Sequence, residues 1–374
     1  MGFNRRNAVY VDSKIYLPAG WGGDRLVIVK TMNTNSLSIE QLAGQRLMVG
    51  FDGTGLDEDL KYLIGQIKAG GVILFAGNLE APGQIKDLCF AVQDFAKQCG
   101  QPPLFIAIDQ EGGQVARLKE PFTQFPGNPH MRHEADAVHF AEVTAAELNQ
   151  VGINMNMAPV MDVAPQDFNS IMAKRAFGGD PAWVSRLGVK IIEHLQQNHI
   201  MAVAKHFPGI GRTRLDSHLQ LPVLKDDLTA IEQFDLIPFE ACIQQGVCGI
   251  MLSHIFYPEL DDQWPASLSP YIADHLLRRR MGYDGLVLTD DLDMGAITNH
   301  YKIQISIQQI LAASIDLALI CHKGPNIEIA FEQIVKEITD SAEMKARGIE
   351  SAERIMRYKN QYIKTQPGQA GNEY

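Results

Sequence analysis

The chain has 374 residues, a formal net charge of −11 and a hydrophobic fraction of 46%, which is typical of a globular protein and not of a disordered or fibrous one. An acidic balance repels a phosphate backbone, so no nucleic-acid partner is expected. The apolar runs are far shorter than the ~20 residues of a membrane span, so no membrane partner is expected either. Five scattered cysteines without a C-x-x-C pair favour neither a disulfide framework nor a zinc cage, and they indicate a reducing, cytoplasmic location.

The first organised element begins at Ser38, where the motif S-I-E-Q predicts a capping box and a helix. Residues 1–37 are interpreted as an N-terminal extension. Their apolar run Leu26–Val29 is too short for the core of a signal peptide. Residues 363–374 are predicted to form a disordered tail, which leaves residues 38–362 as one domain.

Eight short apolar or β-branched segments follow at regular intervals, and each has the composition of a buried strand. Segments with helical spacing of apolar residues lie between them. Strands that alternate with helices pair in parallel, and eight such units match the ~250 residues of a closed barrel. The predicted fold class is therefore α/β, a single (β/α)8 TIM-type barrel with an N-terminal extension and C-terminal helices. An open doubly wound sheet is the alternative, but no G-x-G-x-x-G fingerprint follows an early strand. The predicted strands are 47–51, 71–75, 104–108, 153–157, 201–205, 249–253, 286–289 and 317–321.

Polar residues follow several of these strands at the point where each strand ends. In a barrel the C-terminal ends of all strands converge on one face, which carries the active site in essentially every such enzyme. We therefore expect these residues to meet in one mouth. They include Asp109 after the third strand, Asp162 after the fourth, Lys205 and His206 at the end of the fifth, His254 after the sixth and Asp290 after the seventh.

Asp290 lies in the segment VLTDDLDMGA, where the preceding apolar residues would hold it rigidly at a strand end. A carboxylate in such a place can attack an anomeric carbon and form a covalent glycosyl-enzyme. The alternative is a helix N-cap, because acidic residues commonly begin the helix after a strand. Asp291 is the better candidate for that cap. Position alone leaves both interpretations open.

Asp216 and His218 form a D-x-H triplet that follows a glycine-containing loop. In an extended segment, residues two apart project to the same side, so the aspartate can hold one nitrogen of the imidazole. A carboxylate there would orient the ring and support its protonated form, as a general acid requires. The alternative is a chance triplet that caps a turn.

Lys205 and His206 place two donor side chains at a strand end, where they suit sugar hydroxyls. A lysine bridged to carboxylates at the barrel rim is the alternative. Arg117 follows Asp109 by eight residues and could pair with that acid or bind a ligand oxygen. Arg175 is similar. Surface charge remains the alternative for both arginines.

Taken together, several segments resemble glycoside hydrolase family 3, and within it the single-domain bacterial β-N-acetylglucosaminidases of cell-wall recycling. The resemblance runs in order over residues 38–360, and its DQEGG and KHFPG…DSH blocks are specific in combination. The matching segments are GGVILFAGNLE (70–80), AIDQEGGQVARL (107–118), GINMNMAPVMDV (152–163), KRAFGGDP (174–181), KHFPGIGRTRLDSHLQLP (205–222), PASLS (265–269) and GLVLTDDLDMGA (285–296).

The resemblance implies a retaining, exo-acting β-N-acetylglucosaminidase with Asp290 as nucleophile, His218 as acid/base and Asp216 tuning that histidine. The implied substrate is N-acetylglucosamine β-1,4-linked to anhydro-N-acetylmuramic acid in a muropeptide, handled in the cytoplasm by a monomer without cofactor or metal. The implied contacts to N-acetylglucosamine are Asp109, Arg117, Arg175, Lys205 and His206.

Three segments depart from the family pattern. Ile210 stands where the family has the histidine of PGHG, so the loop lacks a polar group that could affect its closure. Residues 313–316 read ASID in place of AGAD, which we interpret as a packing change. The segment 122–133 after Arg117 also differs, which leaves the outer subsite unpredicted.

Other functions remain open at this point. A family 3 β-glycosidase or phosphorylase of other specificity is one, because a neutral imidazole base repels an anionic acceptor less than a carboxylate does. A metal-dependent barrel hydrolase would use His206, His218, His254 and an aspartate, but the usual H-x-H of the first strand is missing. His254 is interpreted as a hydrogen-bonded structural histidine. A catalytically inactive sugar-binding barrel is the remaining alternative.

Overall fold

The computed structural model describes residues 9–11, 14–16 and 34–363. The predicted tail at 363–374 lies outside the described residues apart from Ile363, and so does most of the predicted extension at 1–37. Within the extension, strands Val9–Val11 and Lys14–Tyr16 pair in antiparallel fashion.

The described chain forms a closed barrel of eight parallel strands. The predicted barrel is therefore confirmed, and the alternative prediction of an open doubly wound sheet is wrong. Every predicted strand is present, and each begins within two residues of its predicted start. The last pairing, between the fifth and sixth strands, closes the ring. The strands are β1 (Leu47–Val49), β2 (Gly71–Leu74), β3 (Phe105–Ile108), β4 (Met155–Asn156), β5 (Met201–Phe207), β6 (Gly249–Leu252), β7 (Leu286–Asp291) and β8 (Leu317–Ile320).

Helices cover the outside of the barrel. The predicted capping box is confirmed: the Ser38 hydroxyl accepts a hydrogen bond from the Gln41 N–H, and the Gln41 side chain accepts one from the Ser38 N–H. The helices are α1 (Ile39–Gly44), α2 (Glu58–Gly65), α3 (Pro82–Gln98), α4 (Glu134–Val151), α5 (Pro181–Gln197), α6 (Leu228–Glu232), α7 (Leu236–Gln245), α8 (Gly295–Thr298), α9 (Ile303–Ala312), α10 (Asn326–Asp340) and α11 (Ala342–Tyr362), with a π-helix at Tyr271–Arg280 between β6 and β7.

The core has two layers because alternate strand residues point to opposite sides of the sheet. Outward-facing residues such as Val72 and Ile106 pack against the helices, where the apolar stripe of α5 is buried as its spacing predicts. Inward-facing residues such as Met48 and Phe105 fill the barrel. None of the helices in the described part of the chain combines the length and apolar character that a membrane span requires.

Helix α11 closes the N-terminal end of the barrel, since its Ile355 and Met356 pack into the inward-facing cluster. The same helix buries Lys359, whose ammonium donates to the Gln45 side chain at 2.6 Å. Burial lowers the pKa of Lys359 well below its ordinary value. Because α11 closes the N-terminal end of the barrel, a ligand can enter only from the opposite, C-terminal end.

Two strands change register where they reach that open end. Between Leu288 and Asp291, β7 advances three residues while β8 advances two. Between Lys205 and Phe207, β5 advances two residues while β6 advances one. Each irregularity is a β-bulge, which re-aims the side chains beside it. The bulges lie at Asp290 and His206.

Candidate active site

A cavity of about 580 Å³ opens at the C-terminal mouth of the barrel. The structure brings all eight of the side chains predicted from the sequence to its wall, although they come from five different segments of the chain. They are Asp109, Arg117, Arg175, Lys205, His206, Asp216, His218 and Asp290.

Lys205 is the centre of a buried charge network on the floor of the cavity. Its ammonium lies 2.7 Å from Asp109 Oδ1 and 2.7 Å from Glu111 Oε1. Burial alone would lower the pKa of Lys205, but the two carboxylates outweigh burial and raise it. Burial would likewise raise the pKa of Asp109, yet Lys205 and Arg117 lower it to about 2. Both groups are therefore charged at neutral pH.

Glu111 is a site residue that the sequence analysis missed. Its carboxylate accepts two hydrogen bonds from Arg175, at 3.0 Å from Nε and 2.6 Å from Nη2, in the bidentate geometry that guanidinium and carboxylate prefer. It thus holds both Lys205 and Arg175. The spacing of two from Asp109, on an extended segment, was the available signal.

Arg117 is held less tightly than Arg175. Its Nη2 lies 3.4 Å from Asp109 Oδ2, and its guanidinium lies 5.4 Å from the centre of the Phe75 ring. The predicted pairing with Asp109 is confirmed.

His206 is oriented by Asp162, the second residue that the sequence analysis did not assign. The Nδ1 atom of His206 lies 2.7 Å from Asp162 Oδ2, and both side chains are buried. Asp162 Oδ1 also accepts the backbone N–H of Ile210 at 2.8 Å. A carboxylate on Nδ1 fixes the ring so that Nε2 is the atom left for the cavity.

Asp290 stands at the mouth end of β7, within the bulge. Its Oδ1 accepts the backbone N–H of Asp291 at 2.9 Å. Burial raises the pKa of Asp290, but electrostatic interactions with His254 and His206 and the Asp291 N–H outweigh it, and the pKa lies below its ordinary value. Asp290 is therefore a carboxylate at neutral pH, as a nucleophile must be.

Asp291 does not cap the following helix, so that expectation is wrong. Helix α8 begins after Met294, and Asp291 Oδ1 instead accepts the N–H groups of Asp293 at 3.1 Å and Cys321 at 3.0 Å. The residue ties β7 to β8. The loop of three residues before α8 is too long for a cap from this position.

Asp216 and His218 form the predicted pair, with Nδ1 of the imidazole 2.8 Å from Asp216 Oδ1. The segment is a turn and not extended, which corrects the reason for the contact. Asp216 Oδ1 also accepts the His218 N–H at 2.9 Å, and its carbonyl accepts the Leu219 N–H at 3.0 Å. An aspartate that folds back on the N–H two residues later makes this contact in a turn. The His218 side chain is 67% exposed.

The loop that carries this pair is fixed at its start. Arg212 pairs with the carboxylates of Asp226 and Asp235. The Tyr257 hydroxyl donates to the Gly209 carbonyl at 2.8 Å. Ile210, at the position where the family has histidine, is 6% exposed and contributes an apolar wall to the cavity.

Each histidine proposed for a metal-dependent hydrolase has a partner at Nδ1, which is Asp162 for His206, Asp216 for His218 and Ser267 for His254. His254 contacts the Ser267 hydroxyl at 2.6 Å and the Asp291 carbonyl at 2.8 Å, so its interpretation as a hydrogen-bonded structural residue is confirmed. Burial lowers its pKa. Within the described residues, the group with metal-ligand spacing is a different one, Asp291, Asp293 and His322, whose ligand atoms lie within 4.8 Å of one another.

The described residues form an eight-stranded α/β barrel whose mouth holds an ionised carboxylate, an Asp–His pair and a network of fixed cations, which are groups that a barrel glycosidase can use. Residues 38–358 match the Glycosyl hydrolase family 3 N terminal domain. The chain therefore belongs to glycosyl hydrolase family 3.

Individual relatives agree with this assignment. The chain is 35% identical to "Beta-hexosaminidase A" of Pseudoalteromonas piscicida, with 82% of this chain and 58% of that protein covered. It is 35% identical to "Beta-hexosaminidase" of Nitrosomonas eutropha, with 74% and 80% covered. A solved family 3 β-N-acetylglucosaminidase from Paenibacillus sp. superposes with a TM-score of 0.84 at 34% identity, with 87% of this chain and 63% of that chain covered. The chain thus spans less than two thirds of the Pseudoalteromonas and Paenibacillus proteins.

Proposed function

We propose that the chain is a retaining, exo-acting β-N-acetylhexosaminidase that removes terminal N-acetylglucosamine through a covalent glycosyl-aspartate. The observation that carries the proposal is that Asp290, ionised and at the end of β7, shares one cavity with the Asp216–His218 pair. The names of the relatives support the same activity.

In the first step, an oxygen of Asp290 attacks the anomeric carbon while protonated His218 gives its proton to the departing glycosidic oxygen. The C–O bond to the aglycone breaks as the C–O bond to Asp290 forms, so the aglycone leaves as an alcohol. Asp216 stabilises the imidazolium and keeps Nε2 as the atom that faces the leaving group, because its own contact is with Nδ1.

In the second step, neutral His218 removes a proton from water, whose oxygen attacks the anomeric carbon and releases Asp290. Two displacements at one carbon give net retention of configuration. His218 returns to its protonated state, so the cycle closes without an external acid or base.

Lys205, Arg175 and His206 would act as fixed donors to the hydroxyl groups of the bound sugar. Each is already held by a carboxylate, namely Asp109, Glu111 or Asp162. Prior orientation lowers the entropy that binding costs. Arg117 is less constrained and would adapt to the sugar.

We further propose that the natural substrate is a muropeptide with N-acetylglucosamine β-1,4-linked to anhydro-N-acetylmuramic acid, and that the chain acts as a monomer in the cytoplasm. All five cysteines are free, which supports a reducing compartment.

The test measures release of nitrophenol from the β-N-acetylglucosaminide and the β-glucoside. Wild type should turn over only the first, and Asp290→Ala should abolish turnover. His218→Ala should slow cleavage of substrates with poor leaving groups most, because an activated leaving group departs without an acid. His300→Ala, an exposed histidine of a neighbouring loop, is the matched control and should retain wild-type rates.

The covalent step has its own readout. A fluorinated N-acetylglucosamine analogue that forms but does not hydrolyse the intermediate should add its mass to the peptide that contains Asp290. Label on another peptide, or full activity of Asp290→Ala, would contradict the proposed nucleophile. Equal rates on the two nitrophenyl substrates would contradict the proposed sugar specificity.

A further inference from the structure

The mouth end of β7, which carries the proposed nucleophile, lies beyond the regular strand pairing with β6. The paired residues of β6 and β7 end at Leu252 and Thr289, one residue before Asp290. On its other side, β7 bulges against β8 between Leu288 and Asp291. The backbone around Asp290 therefore depends on contacts other than regular strand pairing.

His254, two residues after the end of β6, supplies such a contact. Its Nε2 atom lies 2.8 Å from the carbonyl oxygen of Asp291, the residue that directly follows Asp290. A carbonyl oxygen can only accept a hydrogen bond, so Nε2 carries the hydrogen and donates it. The His254 side chain thus continues the connection between the two strands past the last pair of their backbones.

The imidazole ring is itself held at its second nitrogen. Nδ1 lies 2.6 Å from Ser267 Oγ, and the Ser267 N–H donates to the Ser253 carbonyl at 3.0 Å. Both side chains are buried. Because burial lowers the pKa of His254, the ring is neutral at neutral pH, and Nδ1 accepts the hydroxyl hydrogen of Ser267. The orientation of the ring is therefore set by the protein alone.

The contact at Asp291 reaches the nucleophile in one further step. The N–H of Asp291 donates to Asp290 Oδ1 at 2.9 Å, and a carboxylate held at one oxygen presents the other to a ligand. The Asp291 carboxylate also accepts the Cys321 N–H at 3.0 Å, so Asp291 is held from the β8 side as well. If the Asp291 carbonyl were released from His254, the N–H that holds Asp290 could move with it.

We propose that His254 is a positioning residue for the nucleophile, which acts through the backbone of Asp291 to hold the Asp290 carboxylate in the orientation for attack. This inference rests on the proposed role of Asp290. His254 is not among the described residues that line the cavity, so it neither contacts the sugar nor transfers a proton to it. Its loss should therefore slow attack at the anomeric carbon without weakening sugar binding.

The first test compares three substitutions of His254 on the nitrophenyl β-N-acetylglucosaminide. The amide nitrogen of glutamine can take the place of imidazole Nε2, whereas the shorter asparagine reaches only the place of Nδ1. His254→Leu and His254→Asn should lower kcat on the order of 100-fold, the effect of a displacement of about 1 Å. His254→Gln should remain within about tenfold of wild type, the effect of one weakened hydrogen bond. KM should change little in all three variants.

The leaving group distinguishes this role from that of the acid/base. Slower attack by Asp290 should lower the rates on the nitrophenyl and methyl β-N-acetylglucosaminides by similar factors, because both substrates require the nucleophile. His218→Ala should instead lower the rate on the methyl glycoside more. In His254→Leu, labelling of Asp290 by the fluorinated analogue should slow as kcat does, while inhibition by N-acetylglucosamine stays unchanged. A purely structural role for His254 would not produce this division between attack and binding.

The control is His194→Gln, which replaces a histidine whose Nδ1 lies 3.0 Å from Glu142 on the outer helices, and it should keep wild-type kinetics. Ser267→Ala keeps the imidazole but removes the group that holds Nδ1. This variant should lose about tenfold in kcat at unchanged KM, and it tests the proposal even if His254→Leu does not fold.

Wild-type kcat in His254→Leu, or equal losses in His254→Gln and His254→Leu, would overturn the positioning role. A loss of kcat/KM that comes entirely from a higher KM would also overturn it, because His254 would then shape the sugar site. Absence of N-acetylglucosamine release by wild type, or labelling of a residue other than Asp290, would instead overturn the proposed function.

Discussion

The carbonyl oxygen of His218 accepts a hydrogen bond from the backbone N–H of Gly295 at 3.0 Å. Ser217 makes the equivalent contact with the N–H of Ala296 at 3.1 Å. Gly295 begins helix α8, which follows the strand that ends in Asp290. The loop of the proposed acid/base is therefore attached by its backbone to the segment that follows the proposed nucleophile.

Gly295→Ala should displace this loop. A Cβ atom at Gly295 would lie 2.7 Å from the His218 carbonyl oxygen. Because that oxygen belongs to the backbone, it cannot rotate away. A shift of about 1 Å in a catalytic group costs on the order of 100-fold in rate. Rates of hydrolysis of the nitrophenyl glycoside and of a disaccharide measure this effect. The rate on the disaccharide should fall more, because its poor leaving group needs a proton from the proposed acid. Gly324→Ala, where a Cβ meets open space, should change neither rate. Wild-type kinetics in Gly295→Ala would show that the attachment is dispensable.

Glu111→Gln should weaken both folding and sugar binding. Lys205 would keep Asp109, but Arg175 would lose its bidentate partner in a buried place. Breaking a buried ion pair costs roughly 3 kcal/mol. Denaturant unfolding measures the loss, and KM for the nitrophenyl glycoside should rise. Glu58→Gln, which removes an exposed surface ion pair, is the control. If Glu111→Gln lowers the free energy of unfolding no more than Glu58→Gln does, the role assigned to Glu111 is contradicted.

Ser314→Gly should stabilise the fold. Ser314 has φ 55°, in the left-handed region that only glycine adopts freely, and it stands where the family pattern AGAD has glycine. Relief of this strain should raise the free energy of unfolding by up to about 1 kcal/mol, after allowance for the greater entropy that glycine gives the unfolded chain. Thermal unfolding measures it. Ser314→Ala keeps the backbone strain and should bring no gain; a gain in that variant would assign the effect to the hydroxyl.

Lys359→Met should also stabilise the fold. Because burial lowers its pKa in the folded chain, the unfolded chain binds an additional proton, and stability rises with pH until the unfolded lysine titrates near its ordinary value of 10.5. Methionine removes that penalty, so a gain in the free energy of unfolding is expected at pH 7, and this gain should diminish toward pH 10. Denaturant unfolding across this range measures it, with exposed Lys97→Met as control. A gain independent of pH would contradict the explanation.

Asp109 should contribute to the loss of stability in acid. Its folded pKa of about 2 lies below the ordinary value of 3.8, so its contribution is complete above pH 3.8 and is lost as the pH falls toward 2. The shift corresponds to about 2 kcal/mol. Unfolding free energies between pH 5 and pH 2 should therefore fall less steeply in Asp109→Asn than in wild type. If the free energy of unfolding falls equally steeply with pH in both proteins, the acid sensitivity arises from groups other than Asp109.

Local patterns were sufficient for the barrel and for placing several strand-end residues at its mouth. Eight apolar segments, separated by stretches with helical spacing, identify strands because periodicity depends on neighbours in the sequence. Closure of such strands then brings their C-terminal ends together, so residues such as Asp109 and Asp290 could be assigned to one mouth before their distances were known.

The partners of these residues depended on the tertiary structure. Glu111 is two residues from Asp109, yet its role as the shared anchor of Lys205 and Arg175 arises only when the segment after β3, the end of β5 and the loop after β4 meet. Asp162 is 44 residues from the imidazole that it orients. Electrostatic pairing depends on distance in space, which sequence spacing does not give.

The direction of the side chains was also decided by the tertiary structure. Regular alternation would send Lys205 and His206 to opposite sides of the sheet, but both line the cavity because β5 bulges against β6. Asp290 and Asp291 share the cavity through the bulge of β7 against β8. The sequence by itself determined which elements form and which residues end them, since those are local preferences. Strand register, and with it the direction of the proposed catalytic side chains, was decided only when neighbouring strands with unequal residue counts had to pair in one closed barrel.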